Sequence, residues 1–183
     1  MPHILFLDAC PRSESRTRRL ANALIKKLDG YVTTLRLSEL DLRPLDEKAL
    51  ALRGELISLG KFSDPSFSLA RQFSEADNIV IAAPFWDLSF PALVKLYFEH
   101  ICITGITFRY TPEGIPEGLC RASNLYYVTT SGGPCIPDFG FGYIRALSQQ
   151  FFGIPSVSCV SAENLDIEGT NPEAILADII SKL

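Results

Sequence analysis

The sequence predicts a doubly wound α/β sandwich, in which five parallel strands lie between two layers of helices. Two observations carry this. Short, near-continuous apolar runs such as "HILFLD" (3–8) and "NIVIAAP" (78–84) suit strands covered on both faces. Amphipathic helical stretches alternate with such runs along the whole chain, the pattern of a parallel sheet built by crossovers.

The elements follow in order. After the first strand, "SRTRRLANALIKKLD" (15–29) sets Leu20, Leu24, Ile25 and Leu28 on one helical stripe, with Gly30 as its stop. "YVTTLRL" (31–37) is the second strand, its branched residues suited to a pleated surface. Residues 40–64 are less regular. "DEKALALRGELISLG" there holds one helix with Gly54 inside it, tolerated at some cost. A helix over 65–77, opened by proline, leads to the third strand (78–84), and a second proline opens a helix over 91–103. "TFRYTPEGIPEG" (107–118) is dense in turn residues and predicts an excursion or hairpin. The fourth strand (123–130), a helix (141–152), the fifth strand (156–162) and a closing helix (171–183) complete one domain over 1–183.

Composition narrows the function classes. The 183 residues carry a net charge of −4, which argues against nucleic-acid binding. No apolar run is long enough to cross a bilayer, and "HILFL" lacks the flanks of a signal peptide, so a cytoplasmic location is expected. Five cysteines show no C-x-x-C pairing, and His3 and His100 are the only histidines, too few for a structural zinc site. The thiols read as buried or free in a reducing compartment.

In open parallel sheets, ligands bind beyond the carboxyl ends of the strands, where the strand order reverses. Three loops therefore belong together: "ACPRSESRT" after the first strand, "PFWDLSF" after the third and "TSGGPC" after the fourth. None is a Walker A loop or a dinucleotide-binding glycine fingerprint. Ser13, Ser15 and Thr17 are natural helix caps, and one of them suffices as a cap. Arg16, Arg18 and Arg19 sit at the positive end of a helix dipole, where each cation is disfavoured by about 0.3–1 kcal/mol. A phosphate held by the first-turn N–H groups and hydroxyls reverses that penalty. The second loop supplies an aromatic wall, Phe85 and Trp86, and the third lets backbone approach a ligand closely at Gly132 and Gly133. Phosphate socket, aromatic wall and glycine loop together describe a site for flavin mononucleotide (FMN).

At these residues the chain resembles the flavodoxin-like family of FMN-dependent NADH:quinone oxidoreductases and azoreductases. The resemblance rests on "SRTRRLA", on "IAAPFWDLSFPALVKLYFEHICITGITFRYTPEGIPEGL" and on "TTSGG". It implies a flavodoxin-like fold with FMN at the interface of a homodimer. Ser15, Arg16 and Thr17 would hold the phosphate, with Cys10 at an upstream position often held by serine. Pro84, Phe85, Trp86, Asp87 and Leu88 would lie along the isoalloxazine, and Thr130, Ser131, Gly132 and Gly133 near its pyrimidine end. Tyr110 would line the substrate pocket, and a short loop from Pro134 to Gly142 carries Phe139 and Phe141 as lid aromatics. Asp87 departs from the asparagine usual in azoreductases.

The family mechanism has two half-reactions. NADH or NADPH passes hydride to flavin N5 and leaves, and a quinone, azo or nitroaromatic acceptor then takes its place. The residues leave two other readings open: a flavodoxin-type electron carrier and a non-catalytic flavin-binding regulator. A receiver-type signalling domain needs an aspartate at the end of the third strand, and "IVIAAP" has none.

Overall fold

Backbone pairing between the apolar runs builds one parallel sheet, and the amphipathic stretches cover both of its faces. The computed structural model describes residues 1–183. In chain order the strands are β1 (His3–Asp8), β2 (Tyr31–Arg36), β3 (Asn78–Ala82), β4 (Phe108–Tyr110), β5 (Pro116–Gly118), β6 (Asn124–Thr130) and β7 (Ser156–Ala162). The helices are α1 (Arg16–Ile25), α2 (Glu47–Ser58), α3 (Ser68–Glu75), α4 (Ala92–Ile101), α5 (Phe141–Gln150) and α6 (Pro172–Ser181). The parallel sheet runs β2-β1-β3-β6-β7, the order of the flavodoxin-like fold, and β4 and β5 form a separate antiparallel hairpin. Register sets Asp8 of β1 beside Ala82 of β3. The chain leaves β1 towards β2 and returns across it to β3, so the loops after β1 and β3 part and leave a crevice.

Alternation along the strands decides the layers. Ile4, Phe6, Val80, Ala82 and Val128 face one side and pack on Leu20, Ala21 and Leu24 of α1 and Leu176 of α6. Leu5, Leu7, Ile79, Ile81, Leu125 and Tyr127 face the other, against Phe73 of α3, Tyr97 and Phe98 of α4 and Ile144 of α5. Each Val, Leu, Ile or Phe among them contributes about 1.5–3 kcal/mol on burial. Packing on the sheet, more than helix propensity, therefore holds the layers together.

Several boundaries differ from the sequence reading. α1 ends at Ile25, not 29, because Lys27 and Leu28 donate to carbonyls three residues back and tighten the last turn. Gly30 is not its stop. A Cβ there would lie 2.5 Å from the Pro2 carbonyl oxygen, which also accepts the Tyr31 N–H, so Gly30 lets β2 close against β1. The 65–77 helix opens as a 3-10 turn (Pro65–Phe67) before α3 begins, and α5 stops two residues short of 152. The hairpin forms as expected. Its Gly118 lies directly on the backbone that follows α5, where a Cβ would meet the Phe152 carbonyl carbon at 2.1 Å.

Candidate functional site

The loop after β1 is shaped from within by one arginine. Arg18 Nε donates to Asp8, and its Nη atoms donate to the carbonyls of Cys10 (2.7 Å), Arg12 (2.8 Å) and Ser13 (2.8 Å). The Asp8 hydrogen bond pushes the Arg18 pKa up, so the clamp keeps its charge. Ser15 caps α1, its Oγ accepting from the Arg18 N–H at 3.2 Å. The N–H groups of Arg16 and Thr17 have no acceptor within the chain. Buried Thr17 meets Thr130 across the crevice, Oγ1 to Oγ1 at 2.6 Å, and ties the start of α1 to the end of β6.

Protein carboxylates answer the cations at this helix start. Arg19 makes a two-pronged pair with Glu173 (2.9 and 2.6 Å), which lowers the Glu173 pKa and raises that of Arg19. Arg16 donates to Asp166 at 2.9 Å, with side chains 40% and 70% exposed, so this pair is weak. Arg18 and Arg19 are therefore accounted for without an external anion. The free N–H groups and the loosely held Arg16 remain available to one.

The loop after β3 turns sharply. The Phe85 N–H donates to the Thr130 carbonyl (3.0 Å), and Trp86 and Ser89 exchange two backbone hydrogen bonds (3.1 and 2.8 Å). Between them Asp87 and Leu88 have φ of 50° and 66°, two left-handed residues in succession. Aspartate tolerates that region, whereas leucine there is strained. The N–H groups of Asp87, Leu88, Gly132 and Gly133 also lack acceptors within the chain. A Cβ at 132 would lie 2.6 Å from Asp166 Oδ2, so a side chain there would push the Asp166 carboxylate aside. Together these loops enclose a cleft of about 590 Å³ at the carboxyl end of the sheet.

Residues 2–183 match a family described by its flavodoxin-like fold. The FMN-dependent NADH:quinone oxidoreductase 2 of Clostridium acetobutylicum is 36% identical over 195 aligned positions, covering 100% of this chain and 96% of that protein. The chain belongs to this flavodoxin-like family. The azoreductase of Bacillus anthracis superposes with a TM-score of 0.85 at 23% identity, covering 100% of this chain and 96% of its own. An FMN-dependent NADH-azoreductase of the same species, solved in complex with FMN, gives 0.80 at 21% identity, with coverage of 100% and 95%.

In this flavodoxin-like protein, nine of the residues singled out from sequence line the cleft: Ser15, Arg16, Thr17, Pro84, Phe85, Trp86, Thr130, Ser131 and Gly132. Cys10, Asp87, Leu88 and Gly133 lie off its lining. The Cys10 thiol is buried beneath the loop, 3.7 Å from the Ala82 carbonyl oxygen, and burial pushes its pKa up to about 12. Tyr110 is exposed on the hairpin, its ring edge-on to Phe108. Phe139 is 60% exposed. Phe141 is the first residue of α5, its ring stacked on Tyr127 in the lining of a second cavity. His100 Nε2 lies 2.8 Å from the Arg43 carbonyl oxygen.

Sequence reasoning missed the fourth wall of the cleft. Leu165 and Asp166 follow β7, and Glu173 opens α6. The rule that drew attention to the other three loops applies equally to the loop after the fifth strand. No helix is long and apolar enough to cross a membrane. No group of three His, Cys, Asp or Glu side chains stands close enough to hold a metal ion.

Proposed function

We propose that this protein is an FMN-dependent oxidoreductase that takes hydride from NADH or NADPH and reduces quinone, azo or nitroaromatic acceptors in a ping-pong cycle. We infer further that it is a single-domain, cytoplasmic protein working as a homodimer. The observation that carries the reading is the N-terminus of α1. There Arg16 and Thr17 present unpartnered N–H groups and Arg16 a weakly held guanidinium, in a cleft walled by Phe85 and Trp86. That donor set fits a phosphate dianion, and the Phe85–Trp86 wall beside it suits a flat ring system.

Bound FMN would supply the redox chemistry, receiving electrons from the nicotinamide and giving them to the acceptor. The chain's own work is to bind and orient. Ser15, Arg16 and Thr17 would hold the phosphate, and the Thr17–Thr130 contact fixes the distance from that socket to the end of β6. Phe85 and Trp86 would exclude water from one side of the ring, and the free N–H group of Gly132 would meet its heteroatoms. The Asp87 carboxylate is exposed, where water screens its charge. Trp86, Leu88, Tyr110 and Phe139 are exposed apolar residues, which supports the dimer reading.

The test is direct. Purified protein should be yellow, or become so with added FMN, and NADH should bleach it until menadione restores the colour. Arg16→Ala and Thr17→Val should each weaken FMN binding by about tenfold, one charge-assisted or buried hydrogen bond apiece. A protein that takes up no FMN overturns the reading. Flavin binding without NADH turnover would make it a carrier or regulator instead.

A further inference from the structure

Six charged side chains line the main cleft: Arg12, Arg16 and Arg19, and Glu14, Asp166 and Glu173. They balance in sign, so the cleft already contains anions of its own where a phosphate would enter. Glu173 is committed. Both of its oxygens meet Arg19, and it stands in the first turn of α6, where the helix dipole favours a carboxylate. Asp166 is held more loosely. One of its oxygens meets one Nη of Arg16, and its side chain is largely open to water.

The backbone beneath that carboxylate is nevertheless fixed. The N–H groups of Asn164, Leu165 and Asp166 donate to the carbonyls of Gly133, Ser131 and Gly132 (3.2, 3.1 and 3.0 Å). Leu165 is buried in the core layer that α1 covers. The Asp166 main chain therefore stays in place while its carboxylate can turn. Gly132 leaves the room in which that carboxylate reaches Arg16, since a side chain at 132 would push it aside. α1 has no acidic residue in its own first turn. Asp166 brings the missing negative charge from another loop, to the helix end where the N–H groups of Arg16 and Thr17 have no acceptor.

We infer that Asp166 is an internal competitor for the phosphate subsite, an inference that rests on the FMN reading above. In the empty cleft its carboxylate pairs with Arg16. When a phosphate enters, the carboxylate turns out to water and the guanidinium passes to the phosphate. Arg16 has donors enough for both, but one cation cannot offset a dianion and a carboxylate together. Asp166 thus sets how tightly the phosphate is held and leaves the contacts to the ring unchanged.

Dissociation constants of FMN and riboflavin for the flavin-free protein, read from quenching of flavin fluorescence, separate phosphate from ring. Asp166→Asn should bind FMN about fivefold more tightly, the upper end of what an exposed ion pair is worth, and riboflavin no differently. In an Arg16→Ala background the same substitution should change FMN affinity by less than about twofold, because no guanidinium is left to contest. Thermal melting should show every variant folded. Unchanged or weaker FMN binding by Asp166→Asn overturns the inference. So does an equal gain for riboflavin, or a gain that persists without Arg16, which would make Asp166 only a background charge. Inorganic phosphate, followed by its phosphorus NMR linewidth, goes through the same variants and should show the same gain without any flavin. Where the wild type takes up no FMN, the cofactor reading fails by itself and the phosphate series decides for Asp166. An unchanged phosphate affinity, or no binding in any variant, then overturns the assignment.

Discussion

Arg18 shows how one side chain can fix a loop. Its partner Asp8 is almost fully buried at the end of β1, and the same guanidinium gathers three loop carbonyls. Replacing it with methionine leaves a buried carboxylate uncompensated, so Arg18→Met should destabilise the fold by about 3 kcal/mol in chemical denaturation. An unchanged midpoint would show the clamp to be dispensable. Leu88 offers the opposite sign. Its φ of 66° is costly for a branched side chain but free for glycine, so Leu88→Gly should stabilise by about 1 kcal/mol in the same assay. Ser15 was legible in sequence because a hydroxyl ahead of an amphipathic stripe is itself a cap signal. Arg18 was not, since its pairing depends on how β1 hands over to α1. Nor was the turn at Asp87–Leu88, which lacks the glycine that ordinarily marks a left-handed pair.

The strands and helices were the most readable features, because sheet burial writes itself into unbroken apolar runs. Helix ends were less so. α1 loosens through Lys26–Leu28 while its apolar stripe continues, so periodicity alone runs past the last regular turn. α2 was expected and forms, capped by Asp46, whose Oδ1 accepts from the Ala49 N–H at 2.8 Å. Gly54 remains its weak point, for nothing lies within 4 Å of where its Cβ would stand. Gly54→Ala should therefore stabilise by about 1 kcal/mol and raise Tm by about 2–4 °C, measured by calorimetry. A fall in Tm would mean that the exposed face of α2 is covered in solution.

The distribution of thiols gives the whole molecule a pH signature. Burial raises Cys10 and Cys120 to about 12 and Cys102 to about 11, from an ordinary 9.0. Above pH 9 the unfolded chain loses these protons while the folded one keeps them. Stability is therefore complete below about pH 9 and is lost as pH rises towards 11–12. Buried Tyr97 and Tyr127 act in the same direction. Urea unfolding from pH 7 to 11 should show the decline, and Cys120→Ala should make it shallower; an identical slope in the variant would exclude that thiol. The main cleft was largely foreseeable at this scale, because its loops share one end of a topology that the sequence predicts. The second cavity was not, since Tyr127 and Thr129 become neighbours of Cys159 and Ser161 only through the β6–β7 register.

The contact of Gly118 with Phe152 and Gly153 sets a mechanical rule for this corner. Two backbones touch with no side chain between them, and Cys120 N–H adds a hydrogen bond to the Phe152 carbonyl (3.3 Å). The β4–β5 hairpin thus has no joint at its base and travels only with the end of α5. Tyr110 rides on a fixed arm. The span over 134–140 is held to the end of β7 by the Cys135 N–H, which donates to Glu163 (2.9 Å), and is latched to the Trp86–Ser89 turn by Ser89 Oγ, which donates to the Phe139 carbonyl (2.9 Å).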